Sequence, residues 1–232
     1  MGKTVIIEQA EDLQWSCITV RGPQSESFLQ GQLTQDLALI DEAGGWSLLL
    51  RPDSAVLSTC FVRRSAQGFD VAVPRELSEV ALARLRRFHL RVDCSLEVGD
   101  VDEGPMATTE QLVDGRWPGA REFGVELTPR SYGAAFVERT VSFTKGCYTG
   151  QELVARLDAR NSSVPWRFVW ASGPSVERIN EALKSKGPAG PQGVTTALGR
   201  EGGIASLGFA HRSLLDSEVL ASFDDVSVEA IG

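Results

Sequence analysis

The chain has 232 residues, 42% of them hydrophobic, and a formal net charge of −8 at pH 7. That is enough apolar material for a core divided among two or three small units, and no apolar run approaches the roughly 20 residues of a membrane helix. The acidic balance argues against a broad nucleic-acid surface, although a local basic patch stays compatible with it.

Residues 1–13 carry Glu8, Glu11 and Asp12 and lack the apolar stretch of a signal peptide. Position 6 is Ile where a myristoylation signal after Gly2 needs Ser or Thr, so a cytoplasmic protein is expected. Residues 15–20 read as a strand, broken by Gly22-Pro23, and residues 26–32 as a short helix burying Phe28 and Leu29. Strands follow at 46–50, 56–63 and 69–73. Leu77, Ala81, Leu85 and Phe88 recur at helical spacing over 76–88, with Arg84, Arg86 and Arg87 at the end where the helix dipole favours cations. Leu90, Val92, Cys94, Leu96 and Val98 alternate, which predicts a half-buried strand. Strands, helix and strand in this order predict a small α+β unit, with the helix on an antiparallel sheet.

Residues 99–143 are polar and irregular, with a turn at Gly115-Arg116-Trp117-Pro118-Gly119. After Pro165 the pattern is again β-like. Strands are expected at 166–170, 193–198, 204–210 and 218–221, and a helix at 175–183, which suits a small barrel or sheet. Asn161-Ser162-Ser163 has the form of a glycosylation sequon, which means nothing without secretion.

The cysteines lie at 17, 60, 94 and 147, with no Cys-x-x-Cys pair and no His at metal-ligand spacing. A four-cysteine cluster or zinc site within one chain is not expected. Cys17, Cys60 and Cys94 sit in strand-like runs and read as small core residues. His89 and His211 have no acidic or cysteine neighbour in sequence and read as structural. Cys147 differs. In Lys145-Gly146-Cys147-Tyr148-Thr149-Gly150-Gln151-Glu152 it stands between two glycines, beside a lysine and ahead of a helix start. Thr149 and Glu152 fit a capping box, and Leu153 and Leu157 share a helix face. A helix N-terminus and a nearby ammonium both favour thiolate, and the glycines allow turns that a Cβ would block. Lys145 and Cys147 are therefore the predicted reactive pair.

This octapeptide, followed by Leu153-Val154-Ala155-Arg156, resembles the signature of YgfZ proteins. These are folate-binding relatives of the glycine-cleavage T-protein (aminomethyltransferase-like) with a part in making or repairing iron–sulfur clusters. The segment Phe28-Leu29-Gln30-Gly31-Gln32-Leu33-Thr34-Gln35-Asp36-Leu37 is similar to the family's N-terminal segment. Gly193-Val194-Thr195-Thr196-Ala197 and Gly208-Phe209-Ala210 are more loosely similar to its C-terminal barrel. The resemblance implies a GcvT-like three-lobed fold around a central cavity. Residues 1–45 plus 113–164 would form a discontinuous folate-binding lobe, 46–112 a ferredoxin-like lobe, and 165–232 a C-terminal β-barrel.

A folate needs a flat apolar slot, polar groups for the pterin edge and cations for the tail. Gln32, Thr34 and Asp36 are candidates for the ring edge, with Asp36 equally readable as a turn or cap residue. Tyr148 can stack or donate, or simply pack. Gln151 and Glu152 can meet ligand, although Glu152 suits the cap better. Arg156 and Arg160 share a helix face and suit either an anionic tail or plain solvation. Glu126, or Glu122, would be the family's pterin-facing acid. Aminomethyltransferases of this fold carry an acidic pair where this chain has Ser58 and Thr59, and it has Ser54-Ala55 where many YgfZ-like chains have glycine. A hydroxyl cannot serve as the general base, so glycine cleavage is not expected.

The resemblance implies a folate-binding accessory factor for iron–sulfur cluster assembly or repair. Cys147 would act as a transient cluster ligand or redox thiol, tetrahydrofolate or a derivative would be bound, and assembly proteins or client enzymes would be partners. Any effect on tRNA modification would be indirect, with no permanently bound metal, no direct nucleic-acid contact and no membrane contact. Two alternatives stay open: a folate-dependent one-carbon transferase with Cys147 as nucleophile, and a non-catalytic folate-binding scaffold.

Overall fold

The computed structural model describes residues 5–7, 11–101, 104–159 and 163–232. Arg160, expected to share a face with Arg156, lies outside them, as does most of the 161–163 sequon. Along the chain the described elements are β1 (Val5–Ile7), β2 (Trp15–Arg21), α1 (Ser25–Gln30), β3 (Gly45–Leu50), β4 (Val56–Ser65), β5 (Gly68–Pro74), α2 (Ser78–Arg86), β6 (Ser95–Val101), α3 (Thr109–Asp114), α4 (Ala134–Thr140), α5 (Gln151–Ala159), β7 (Trp166–Gly173), α6 (Val176–Lys184), β8 (Gly193–Arg200), β9 (Gly203–His211), α7 (Arg212–Leu215) and β10 (Ser227–Ala230). They form two compact units. The loop unit comprises Leu13–Ala107 and Val137–Arg160, and the terminal unit comprises Met1–Asp12, Thr108–Phe136 and Asn161–Gly232. The fold is mixed α and β, with mainly antiparallel pairing.

In the loop unit the strand order is β3-β4-β5-β2-β6, with every neighbouring pair antiparallel. One face carries Ile18, Val20, Leu49, Val62, Phe69 and Val71, and α1 and α2 cover it with Phe28, Leu29, Ala81 and Leu85. The strands expected at 15–20, 46–50, 56–63 and 69–73 are β2 to β5. Two expectations are corrected here. The helix expected over 76–88 starts at Ser78 after a 3₁₀ turn and ends at Arg86, and Phe88 is 38% exposed. Its buried side consists of Ala81, Leu82, Arg84 and Leu85 rather than a stripe that includes Phe88. The strand expected from Leu90 begins only at Ser95. Residues 87–89 continue the helical turn, with Phe88 N donating to Leu85 O and His89 N to Arg86 O. β6 is an edge strand, and the half-buried alternation holds for Val92, Cys94 and Leu96, which pack against the core, but fails at the ends of the run: Leu90 is 77% exposed and Val98 48%.

In the terminal unit the order is β1-β8-β9-β7-β10. β1 pairs parallel to β8 and the other pairs are antiparallel. α6 is capped by Ser175, whose Oγ accepts from Arg178 N, and it buries Ile179 and Leu183 against Val169, Val194 and Ala197. Tyr132, fully buried, lies within 5.8 Å (ring centroids) of Phe123, Phe136, Phe168 and Phe209. The strand expected at 218–221 is instead a 3₁₀ turn, Glu218–Ser222, and the last strand is Ser227–Ala230. Val219 and Leu220 reach the core from that turn, so their apolar character came from packing rather than from pleat. No helix of the described residues is long and apolar enough to cross a membrane.

Candidate functional site

The octapeptide forms a loop anchored inside the loop unit. Thr149 N donates to Gly31 O, and Ser142 N donates to Thr34 O just ahead of it. Gly150 has φ +85°, and a Cβ there would meet Arg51 O at 2.7 Å. Ser54, itself at φ +71°, donates through Oγ to Gly150 O at 2.6 Å. Ser54 thus accepts a left-handed backbone and adds a bond to the loop. Gly146 differs from its partner glycine: an added Cβ would meet nothing within 4 Å. The expected capping box does not form. α5 starts at Gln151 after Gly150, so Thr149 stands one residue too early. Its hydroxyl lies 3.5 Å from Gln32 Oε1, and exposed Glu152 pairs with Arg156 one turn later.

Lys145 is buried, and its ammonium donates to Gln30 O at 2.7 Å, Leu33 O at 2.7 Å and Gln35 O at 3.0 Å. Those bonds use all three N–H donors of a lysine. Burial pulls its pKa down to about 8, with Asp36 opposing the shift. The lysine expected to serve the thiolate by charge is thereby committed to the backbone of the Gln30–Gln35 segment. Two residues on, Cys147 is exposed. The Tyr148 ring is buried with the Lys145 ammonium 5.2 Å from its centroid, and its hydroxyl is buried without a hydrogen-bond partner. Burial pushes that phenol up to about 12. The loop is therefore a buried cation and a buried ring holding an exposed thiol.

The structure brings the N-terminal candidates to this loop, yet it closes most of their hydrogen bonding internally. Thr34 is fully buried, and its Oγ1 donates to Thr140 O at 2.6 Å and accepts from Leu48 N at 2.8 Å. Asp36 accepts from Gln30 Nε2 and Ala38 N and caps a 3₁₀ turn, which lowers its pKa; the cap role is the one it fills. Gln32 Oε1 accepts from Arg84 at 3.0 Å, and Gln151 Oε1 lies 3.4 Å from Tyr148 N. Exposed Arg156 holds Glu152. Gln32, Thr34 and Asp36 are thus each engaged within the protein, Thr34 most completely. Tyr148, with an orphaned hydroxyl, fits a ligand-facing role.

Sequence reasoning missed Arg84, read there only as one of three cations at a helix end. It is buried and donates through Nε to Leu50 O, and its Nη2 has no partner. The signal available was its i, i+3 spacing from Ala81, on the buried side of α2.

Glu126 and Glu122 belong to the terminal unit. Glu126 has left-handed backbone, φ +54°. Glu122 is fully buried and closed: Oε2 accepts from Gly119 N, and Oε1 accepts from Thr195 Oγ1 and Thr196 Oγ1, each at 2.7 Å. Burial raises its pKa against those three bonds. Successive strand residues face opposite sides, yet both threonines reach one oxygen because β8 is irregular between Val194 and Thr196.

Among the other thiols, Cys17 and Cys60 are buried, and burial pushes Cys60 up to about 12. Cys94 is half-buried and meets His89, its Sγ 3.3 Å from Nε2. His89 has no cysteine neighbour in sequence, but the turn after α2 brings it to Cys94, five residues on. No group of three His, Cys, Asp or Glu side chains able to hold a metal ion occurs among the described residues.

The fold is that of a glycine-cleavage aminomethyltransferase. The crystal structure of aminomethyltransferase T from Bartonella henselae matches 89% of this chain and 79% of its own, with a TM-score of 0.58 and 15% identity. Among curated proteins, "tRNA-modifying protein YgfZ" of Klebsiella pneumoniae is 23% identical, with 72% of each chain covered. The protein of that name from Edwardsiella ictaluri is 26% identical over 72% of this chain and 71% of its own. An uncharacterized Haemophilus influenzae protein is 26% identical over 68% and 71%. No family model matches the chain. With the Lys-Gly-Cys-Tyr-Thr-Gly-Gln-Glu loop in place, the chain is similar in sequence to YgfZ proteins and in fold to the aminomethyltransferase.

Proposed function

We propose that the protein is an accessory factor for iron–sulfur cluster assembly or repair, with Cys147 as its working group. The observation that carries this reading is the contrast within one loop: Lys145 and Tyr148 are buried, while Cys147 between them is exposed. A thiol held on a fixed loop and open to a macromolecule suits transient ligation. On losing its proton Cys147 would bind one iron of a cluster, which is cargo here. A cluster needs about four ligands, so an assembly protein, client enzyme or small thiol supplies the others. The alternative use of the same group is as a redox thiol. Lys145 is a positioning residue in either case.

Tetrahydrofolate enters the reading through the aminomethyltransferase-like fold and the family resemblance. Of the residues assigned to it, Tyr148 has a buried hydroxyl without a hydrogen-bond partner, which suits a ligand-facing role, whereas the Thr34 hydroxyl is engaged with Thr140 and Leu48; no step is routed through folate. The same reading takes the chain as three-lobed, with a ferredoxin-like lobe at 46–112 and a β-barrel at 165–232. It also takes any influence on tRNA modification as acting through iron–sulfur enzymes. One-carbon transfer is the weaker reading: Ser58 and Thr59 are buried at 0% and 1% exposure, and neither supplies a carboxylate.

The test is rescue of a labile iron–sulfur enzyme in oxidatively stressed cells that lack this protein, with wild type and Cys147→Ser at matched levels. Rescue by wild type alone is expected. Equal rescue by both removes Cys147 from the chemistry and favours the scaffold reading.

A further inference from the structure

The turn after α2 is a second exposed feature, separate from the Cys147 loop. Arg86, Arg87, Phe88, Leu90 and Arg91 are all exposed, Leu90 at 77%. Arg86, Arg87 and Arg91 form no ion pair with any described residue. Arg63, Arg167 and Arg212 also form no ion pair with a described residue, but Arg86, Arg87 and Arg91 lie within six residues of one another on one exposed turn. The chain's net charge is −8, and Arg21, Arg64, Arg75, Arg116, Arg178 and Arg200 each hold a carboxylate. Three guanidinium groups have been left bare where acids outnumber bases.

The tip is braced from beneath. His89 sets its ring edge against Phe28, with centroids 5.3 Å apart, and its Nε2 lies 2.8 Å from Cys94 O. The Arg84 guanidinium lies 4.2 Å from the Phe88 centroid and so covers one face of that ring. Ordering cost on docking is correspondingly small. Arginine and aromatic side chains are the residues enriched at protein interfaces, and Leu90 adds exposed apolar area beside them. A nucleic-acid strand suits the tip less well. It would gain nothing from Leu90, and the returning segment exposes Asp93 and Glu97 to a continuous polyanion.

We propose that this turn is a docking site for a protein partner that presents carboxylates on either side of an apolar side chain. Carboxylates pair with Arg86, Arg87 and Arg91, and the apolar group packs on Leu90 and the open face of Phe88.

The probe is a short labelled peptide in which glutamates flank leucines, measured by anisotropy against the full chain at physiological salt. An oligouridylate of equal charge is the comparison. The expected result is saturable peptide binding, weakened at least tenfold by combined Arg86→Glu, Arg87→Glu and Arg91→Glu and several-fold by Leu90→Ser, with the oligouridylate weaker than the peptide. These side chains are exposed, and unchanged thermal unfolding verifies that the variants are folded. Absent peptide binding, equal binding by the charge-reversal variant, or tighter binding of the oligouridylate would each overturn the proposal.

Discussion

Lys145 in the loop unit and Glu122 in the terminal unit are both buried ionisable groups whose hydrogen bonds are met by the protein itself. Lys145 spends three donors on three carbonyls, and Glu122 accepts from a backbone amide and two hydroxyls. The two differ in what lies beside them. Glu122 is enclosed by the backbone of residues 119–123 and by β8, whereas Lys145 is two residues from an exposed thiol. The lesson is that a buried, satisfied charge marks scaffolding, and the exposed, unsatisfied neighbour marks where chemistry can occur.

The sharpest way to break this comparison is to delete the enclosed charge. Glu122→Ala would strand Thr195, Thr196 and Gly119 N, and about 3–5 kcal/mol of stability should be lost in denaturant unfolding. Glu122→Gln keeps most of the shape and isolates the titration. Because the folded carboxyl has a raised pKa, the unfolded chain ionises first as pH rises. Stability that wild type holds over Glu122→Gln below the ordinary carboxyl range should therefore decline as pH climbs above it.

Lys145→Met should cost somewhat less, about 2–4 kcal/mol, because three carbonyls lose their donor and a larger part of the loop can relax. The pH dependence has the opposite sign. With a folded pKa of about 8 against 10.5, the unfolded chain holds more protons between those values. Wild type should gain on Lys145→Met across that window, at no more than about 1.4 kcal/mol per pH unit. A falling difference would show that the carbonyls hold the proton more firmly than burial expels it.

The glycines sharpen the same contrast. Gly150→Ala, at φ +85° and against Arg51 O, should cost about 1–2 kcal/mol or more. Gly146→Ala should change stability by less than about 0.5 kcal/mol, as should Cys147→Ser. If Cys147→Ser proved strongly destabilising, its exposed position would be wrong, and any loss of function would trace to folding.

Much of this was legible where the determinants are local. The strand-like runs at 15–20 and 69–73 and the helix expected near 175–183 are true elements, and the octapeptide carried the resemblance to YgfZ proteins. The Lys145 cradle was not legible, since its carbonyls lie 110 to 115 residues away in the chain. Nor was the closure of Glu122, which depends on the irregularity in β8 and on partners 73 and 74 residues distant. Thr149 and Glu152 had the letters of a capping box, but the left-handed Gly150 moved the helix start past them. Leu90 and Val98 alternated as a buried strand would, yet an exposed turn and an edge strand impose no penalty on the same pattern.

The central claim is that the exposed thiol, held by a buried frame, does the chemistry. The most direct measurement is the recovery of a purified, oxidatively damaged iron–sulfur enzyme supplied with iron, sulfide and a small thiol, with wild-type protein or Cys147→Ser added. The account predicts faster recovery with wild type and the unassisted rate with Cys147→Ser. Equal acceleration by the two proteins would contradict it.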